Sequence, residues 1–191
     1  GKPACTLLHC GPGLANGMAN LHNARRARAG IVNIVGDQAT YHRPLDAPLT
    51  ADTEGMARTV SHWVRTCSNA GDVGRDAAAA VQAASALSGQ ISTLILPADS
   101  SWNTGGVVAE PLSVPLPPPV DPHAVTTAAR ILRSQKNVLI LIADQATLAP
   151  SQHLAWRVAE GTGADLMGSY TNGHLQRGRG RVPLPRVPYV V

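Results

Sequence analysis

Phenylalanine does not occur in this 191-residue chain, and aromatic residues as a whole make up 3% of it. That removes the stacking platforms single-strand nucleic-acid binders use and leaves the core to Val, Ile, Leu and Ala. Cysteine is scarce too: Cys5, Cys10 and Cys67 are odd in number and hold no Cys-x-x-Cys pair, which argues against a disulfide framework and for a reducing compartment. No run approaches the roughly 20 apolar residues a bilayer span needs, and no charged-then-apolar leader is present. These absences predict a soluble cytoplasmic protein with no membrane partner. The basic excess is small, a net charge of +4, and Arg177, Arg179 and Arg181 carry much of it. They read as a solvated basic loop, and no nucleic-acid partner is expected. His22, His62, His123, His153 and His174 form neither an H-E-x-x-H motif nor a cluster with carboxylates, so no metal held by this chain is expected.

What is present is a recurring alternation. Apolar runs at Ala4 to Leu8, Ile31 to Val35, Trp63 to Cys67, Ile91 to Leu96, Val138 to Ile142 and Ala164 to Met167 are separated by helical patterns. Continuous runs of this kind suit parallel strands covered on both faces. The fold class is therefore α/β, a three-layer parallel sheet with helices on both faces, followed by a second, truncated α/β unit. Leu14, Met18 and Leu21 make the apolar stripe of the first helix, Arg25, Arg26 and Arg28 complement its dipole, and Gly30 supplies the stop. Asp72 or Asp76 is expected to cap an alanine-rich helix ending near Leu87 and Gly89, and Asp121-Pro122 to open another.

The proline-rich stretch 110–120 is an extended linker, giving a first domain over 1–109 and a second over 121–191. The second is short for an open α/β domain, which would leave strand edges uncovered. Its Asp144-Gln145-Ala146-Thr147 repeats Asp37-Gln38-Ala39-Thr40 of the first. Gly161-Thr162-Gly163 lacks a third glycine and follows a helix, so it reads as a helix stop. Asp144, standing where a phosphate-binding turn would follow the strand, speaks against flavin or nicotinamide binding. A first residue other than Met and the ending Pro188-Tyr189-Val190-Val191 read as a piece of a longer chain.

The most informative motif is Cys10-Gly11-Pro12-Gly13-Leu14-Ala15-Asn16-Gly17, between the first apolar run and the first helix. Gly11 and Gly13 are expected to take backbone angles closed to other residues and Pro12 to stiffen the turn. The first helix amides then point at whatever binds there. That motif, the ending Asn23-Ala24-Arg25-Arg26-Ala27-Arg28, Val35-Gly36-Asp37-Gln38, a loop, Met56-Ala57-Arg58, and Leu94-Ile95-Leu96-Pro97-Ala98-Asp99 occur in an order that resembles the pyrimidine-binding domain of thiamine-diphosphate enzymes. The likeness is to the acetolactate synthase, pyruvate oxidase and benzoylformate decarboxylase group, with the start of its central domain after the linker.

The resemblance implies part of a thiamine-diphosphate-dependent 2-oxo acid decarboxylase or carboligase, completed by a second subunit in a homodimer or tetramer. This domain would grip the aminopyrimidine ring, while Mg2+ and the diphosphate would be held by a domain beyond this chain. A catalytically inactive relative serving as an assembly or regulatory subunit is the alternative, because the family's activating glutamate would precede Gly1. His9 falls at the position of an active-site histidine in the benzoylformate decarboxylase-like branch, a proton shuttle, or else is a hydrogen-bonded strand-end residue. The implied cofactor-binding residues are Gly11, Pro12, Gly13, Asn16 and Gln38. Asn16 offers an amide to the ring or to its own helix, and Gln38 faces the pocket or is a solvated loop residue. Arg43 reads as a surface arginine or a partner for a substrate carboxylate. Cys10 lacks a base-and-orienter arrangement and reads as a packing residue, its neighbour His9 facing the other side of the strand.

Overall fold

The computed structural model describes residues 2–134, 137–169, 173 and 175–185. His174 and the terminal Pro188–Val191 lie outside the described residues. The chain divides into two compact units, Gly1–Leu116 and Pro117–Val191, and the division falls within the proline-rich stretch.

In the first unit the apolar runs become strands β1 (Ala4–His9), β2 (Ile31–Asp37), β3 (Trp63–Thr66) and β4 (Ile91–Pro97). They pair in parallel in the order β1-β2-β4-β3. Period-two alternation sorts their side chains between two helical layers. Val35, Ile91 and Ile95 meet Leu14 and Leu21 of helix α1 (Cys10–Arg26) and Ala57 and Val60 of helix α2 (Thr53–Val60). Val32 and Leu94 face the other way, onto Ala80 and Ala84 of helix α3 (Val73–Ser85). The three-layer α/β architecture is the one the sequence predicts. A row of polar residues crosses the α1/α2 face: Thr6 donates to Asn33 Oδ1 at 2.8 Å, Asn33 Nδ2 donates to Thr93 Oγ1 at 3.1 Å, and Thr93 and Ser61 share a bond of 2.7 Å. Asn33 and Thr93 are fully buried, so this ladder ties strand register to a set of mutually satisfied partners.

Several local expectations are corrected. Helix α2 takes in Met56-Ala57-Arg58 and begins three residues earlier, at the end of the stretch read as a loop: Asp52 caps it by accepting from the Gly55 amide at 2.8 Å, and Ala57 and Val60 supply its buried side. Asp72 stands at the N-cap position of α3, as expected, but its side chain makes no capping bond. Asn69 Oδ1 instead accepts from the Asp72 amide at 3.2 Å, while Asp76 is buried and paired with Arg65 at 2.9 Å and Arg75 at 3.1 Å. The stop of α1 is Arg28 rather than Gly30: Arg28 is left-handed, with φ 50°, and the Ala29 amide reaches back to the Ala24 carbonyl. Residues 106–114, which include the first part of the linker, lie along α3. Gln82 Nε2 donates to the Ser113 carbonyl at 2.7 Å, and Gly74 permits the Val107 carbonyl to approach its backbone.

The second unit holds the parallel pair β5 (Leu139–Ile142) and β6 (Asp165–Gly168). With them are two helices, α5 (Pro122–Ser134) and α6 (Ala149–Thr162), numbered after the short α4 (Ala98–Trp102) of the first unit. Asp121 Oδ1 accepts from the His123 amide at 2.9 Å with Pro122 at the first helical position, and left-handed Gly163, φ 73°, stops α6. Both agree with the sequence. Leu139 and Leu141, which share one face of β5, are exposed. No helix among the described residues is long and apolar enough to cross a membrane.

Candidate functional site

The carboxyl ends of parallel strands are where an open α/β sheet leaves a crevice. Here β1 ends in His9, β2 in Asp37 and β4 in Pro97, and the 38–52 segment follows β2. His9 pairs in register with Gly36, placing the ends of β1 and β2 side by side.

Strand passes into helix without a separate glycine turn. α1 already begins at Cys10, whose φ of 52° makes the bend. Gly11 and Gly13 do not have positive φ, so the expectation of glycine-only backbone angles is corrected. Gly11 is needed for space: a methyl there would run into the Ala51 side chain, with Met56 Cε at 3.5 Å and the Leu49 carbonyl at 3.6 Å. Gly13 would meet only ordinary contacts, His9 Cβ and the Leu8 carbonyl carbon at 3.5 Å. The left-handed Cys10 also brings its sulfur back to 3.8 Å from both ring nitrogens of His9, where an extended backbone would have sent the two side chains apart. Burial, then the negative charge of Asp37, pushes the Cys10 thiol above its ordinary value. A buried thiol held protonated is a packing group, not a nucleophile.

An α-helix leaves its first amides without intrahelical partners. Pro12 has none to offer, and no Lys or Arg lies between His9 and Asn16, so this helix start brings no cation to an anion. Its exposed groups are instead the His9 imidazole, the Pro12 ring and the Asn16 amide. Pro12 and Asn16, four residues apart, share one face of α1.

Gln38 is half-buried and its Nε2 donates to the Pro48 carbonyl at 2.6 Å, so it ties down the following loop. Asp37, the last residue of β2, is buried. Its Oδ1 accepts from the Gln38 amide at 2.8 Å, while its Oδ2 has no hydrogen bond and faces Arg43 at 3.4 Å. Arg43 thus has an internal counter-ion. A second tie was missed altogether: Asp99, in the first turn of α4, accepts from the Thr40 amide at 3.0 Å and the Thr40 hydroxyl at 2.5 Å. Those bonds, the hydroxyl's first, hold the Asp99 carboxyl below its ordinary value. Asp37 and Asp99 each stand at a strand's carboxyl end, and that position was the available signal. Among the described residues no group of three or more His, Cys, Asp or Glu could hold a metal ion.

Comparison with known proteins adds the following. Residues 1–61 match the family of thiamine pyrophosphate enzymes through its N-terminal TPP binding domain. A candidate acetolactate synthase large subunit of Mycobacterium tuberculosis is 47% identical over 189 residues, covering 99% of this chain and 36% of that protein. The fold is shared with a candidate thiamin diphosphate-dependent enzyme from Mycobacterium smegmatis, with a TM-score of 0.74 at 22% identity over 88% of this chain and 33% of that one. It is shared also with a thiamine diphosphate-dependent 4-hydroxybenzoylformate decarboxylase from Rhodococcus jostii, with a TM-score of 0.73 at 19% identity over 86% and 32%. The chain spans about a third of the length of each of these proteins.

Proposed function

Because this chain is a member of the thiamine pyrophosphate enzyme family through its N-terminal domain, we propose that it supplies the ring-binding half of a thiamine-diphosphate site in an acetolactate synthase-like 2-oxo acid decarboxylase or carboligase. The observation that carries this reading is the chemistry of the α1 start. It offers an imidazole, a proline face and an amide with both donor and acceptor atoms, and it lacks the cations that favour a diphosphate. Those groups fit an uncharged aminopyrimidine, a flat ring with an amino donor and ring-nitrogen acceptors.

In this reading Asn16 hydrogen-bonds the ring edge, Pro12 and the Gly11–Gly13 backbone form the wall, and His9 holds a proton at the mouth of the crevice. Asp37 and Gln38 act at one remove, fixing the 38–52 segment through Arg43 and Pro48. When bound, thiamine diphosphate supplies the carbanion chemistry by which 2-oxo acids lose carbon dioxide. Magnesium and the diphosphate would be held by a separate domain, and a second subunit would close the site from the other side.

Isothermal titration of the chain with thiamine and with thiamine diphosphate tests this. A site for the ring alone binds both with similar affinity, and Asn16→Ala weakens both alike. Absence of any thiamine binding at millimolar concentration overturns the proposal.

A further inference from the structure

We propose a second ligand site in the first unit, at the opposite end of the sheet from His9: a pocket for a phosphate group, built by Arg25, Arg26, Arg28 and His62. It is a concavity of about 270 Å³ between the end of α1, the residue before β3 and the turn before β4. That space suits one phosphate or a diphosphate and is small for a nucleotide.

Its polar side chains are donors, set beside Leu87 and Gly89. The Arg25 guanidinium is already oriented, donating to the Thr59 carbonyl at 2.8 Å. His62 Nδ1 accepts from the Ile91 amide at 3.2 Å, so in the neutral ring the proton sits on Nε2, as a donor. Gln90 adds a side-chain amide, and the lining includes neither aspartate nor glutamate. Guanidinium groups match phosphate oxygens in bidentate geometry.

Helix-dipole compensation does not account for three arginines. The carboxyl end of a helix carries the equivalent of about half a negative charge, which one arginine more than balances. Arg28, moreover, stands past the end of α1 in a left-handed conformation, φ 50°, that glycine would adopt without cost. The facing turn is shaped the same way, with Leu87 at φ 52°. Gly89 lets it approach, since a methyl there would collide with the Arg28 carbonyl. His62 reports the field of the pocket: burial first, then the charges of Arg25 and Arg28, lower its pKa from 6.5. An anion seated among them reverses that influence.

The test is NMR titration of the His62 ring protons in the whole chain, with and without inorganic phosphate and, separately, methyl phosphate. Either anion should raise the His62 titration midpoint, and the double variant Arg26→Gln/Arg28→Gln should weaken binding on the order of tenfold or more. Arg58→Gln on α2, an exposed arginine paired with Glu54, should leave binding unchanged. Tighter binding of methyl phosphate assigns the site to the phosphate of a larger molecule; tighter binding of inorganic phosphate assigns it to the free ion. An unmoved His62 midpoint at 10-fold excess over millimolar protein, roughly saturating for a site of useful affinity, overturns the proposal. So does equal binding by the double variant. Thiamine, which lacks phosphate, should not move His62.

Discussion

Gly11 and Gly13 are two residues apart in one motif, yet the structure gives their replacement opposite signs. If the motif were a turn needing glycine's backbone freedom, alanine at either position would be strained and both variants would lose stability. Neither residue has a positive φ, and both lie inside α1. Alanine is worth about 0.5–1 kcal/mol over glycine in a helix. At Gly13 the new methyl finds contacts of 3.5 Å and longer, so Gly13→Ala keeps that gain. At Gly11 it is driven into the Ala51 side chain, and overpacking of this kind costs about 1–3 kcal/mol, leaving a net loss of about 1 kcal/mol. With a urea dependence of about 2 kcal/mol/M, the unfolding midpoint should fall by about 0.5 M for Gly11→Ala and rise by about 0.3 M for Gly13→Ala. Far-UV circular dichroism during urea titration reads both. A midpoint that falls for Gly13→Ala, or holds for Gly11→Ala, refutes the argument that space rather than backbone angle selects these glycines.

Alkylation with iodoacetamide at neutral pH, mapped by mass spectrometry, should label exposed Cys5 and spare Cys10 and Cys67, which are buried and whose thiols burial pushes upward; labelling of Cys10 at the rate of Cys5 would contradict its packing role. The tie between Asp99 and Thr40 should weaken in acid. The folded pKa of Asp99 lies below the ordinary 3.8, so its stabilisation is present above that value and is lost as pH falls through the folded value. Thr40→Val should therefore lower the melting temperature at neutral pH and converge with the parent chain in acid, and a difference that widens on acidification would contradict the assignment.

Strands were legible in the sequence because runs such as Ile91 to Leu96 are apolar on both faces, the mark of a covered parallel sheet. α2 was not, although Asp52 three residues before Gly55 and the pair Ala57 and Val60 carried its cap and its buried side. Met56-Ala57-Arg58 alone spans less than one turn and shows no period. Arg28 escaped notice as a helix stop because a nearby Gly30 offered the commoner solution. The strand-to-helix junction of the candidate site was legible, since it is a local feature, but the contacts around it were not. Cys10 takes the bend that its glycine neighbours were expected to take, and the partners of Gln38, Asp37 and Thr40 are Pro48, Arg43 and Asp99. Such pairings depend on how loops close over the sheet, which residue spacing does not encode.

Amide-resolved NMR of the chain during titration with thiamine locates the ring directly. The account predicts shifts concentrated at His9, Gly11, Gly13 and Asn16, with smaller ones at Gln38 and in the loop it holds. Shifts confined to the Arg25–Arg28 end of α1, or spread evenly over the surface, would contradict it.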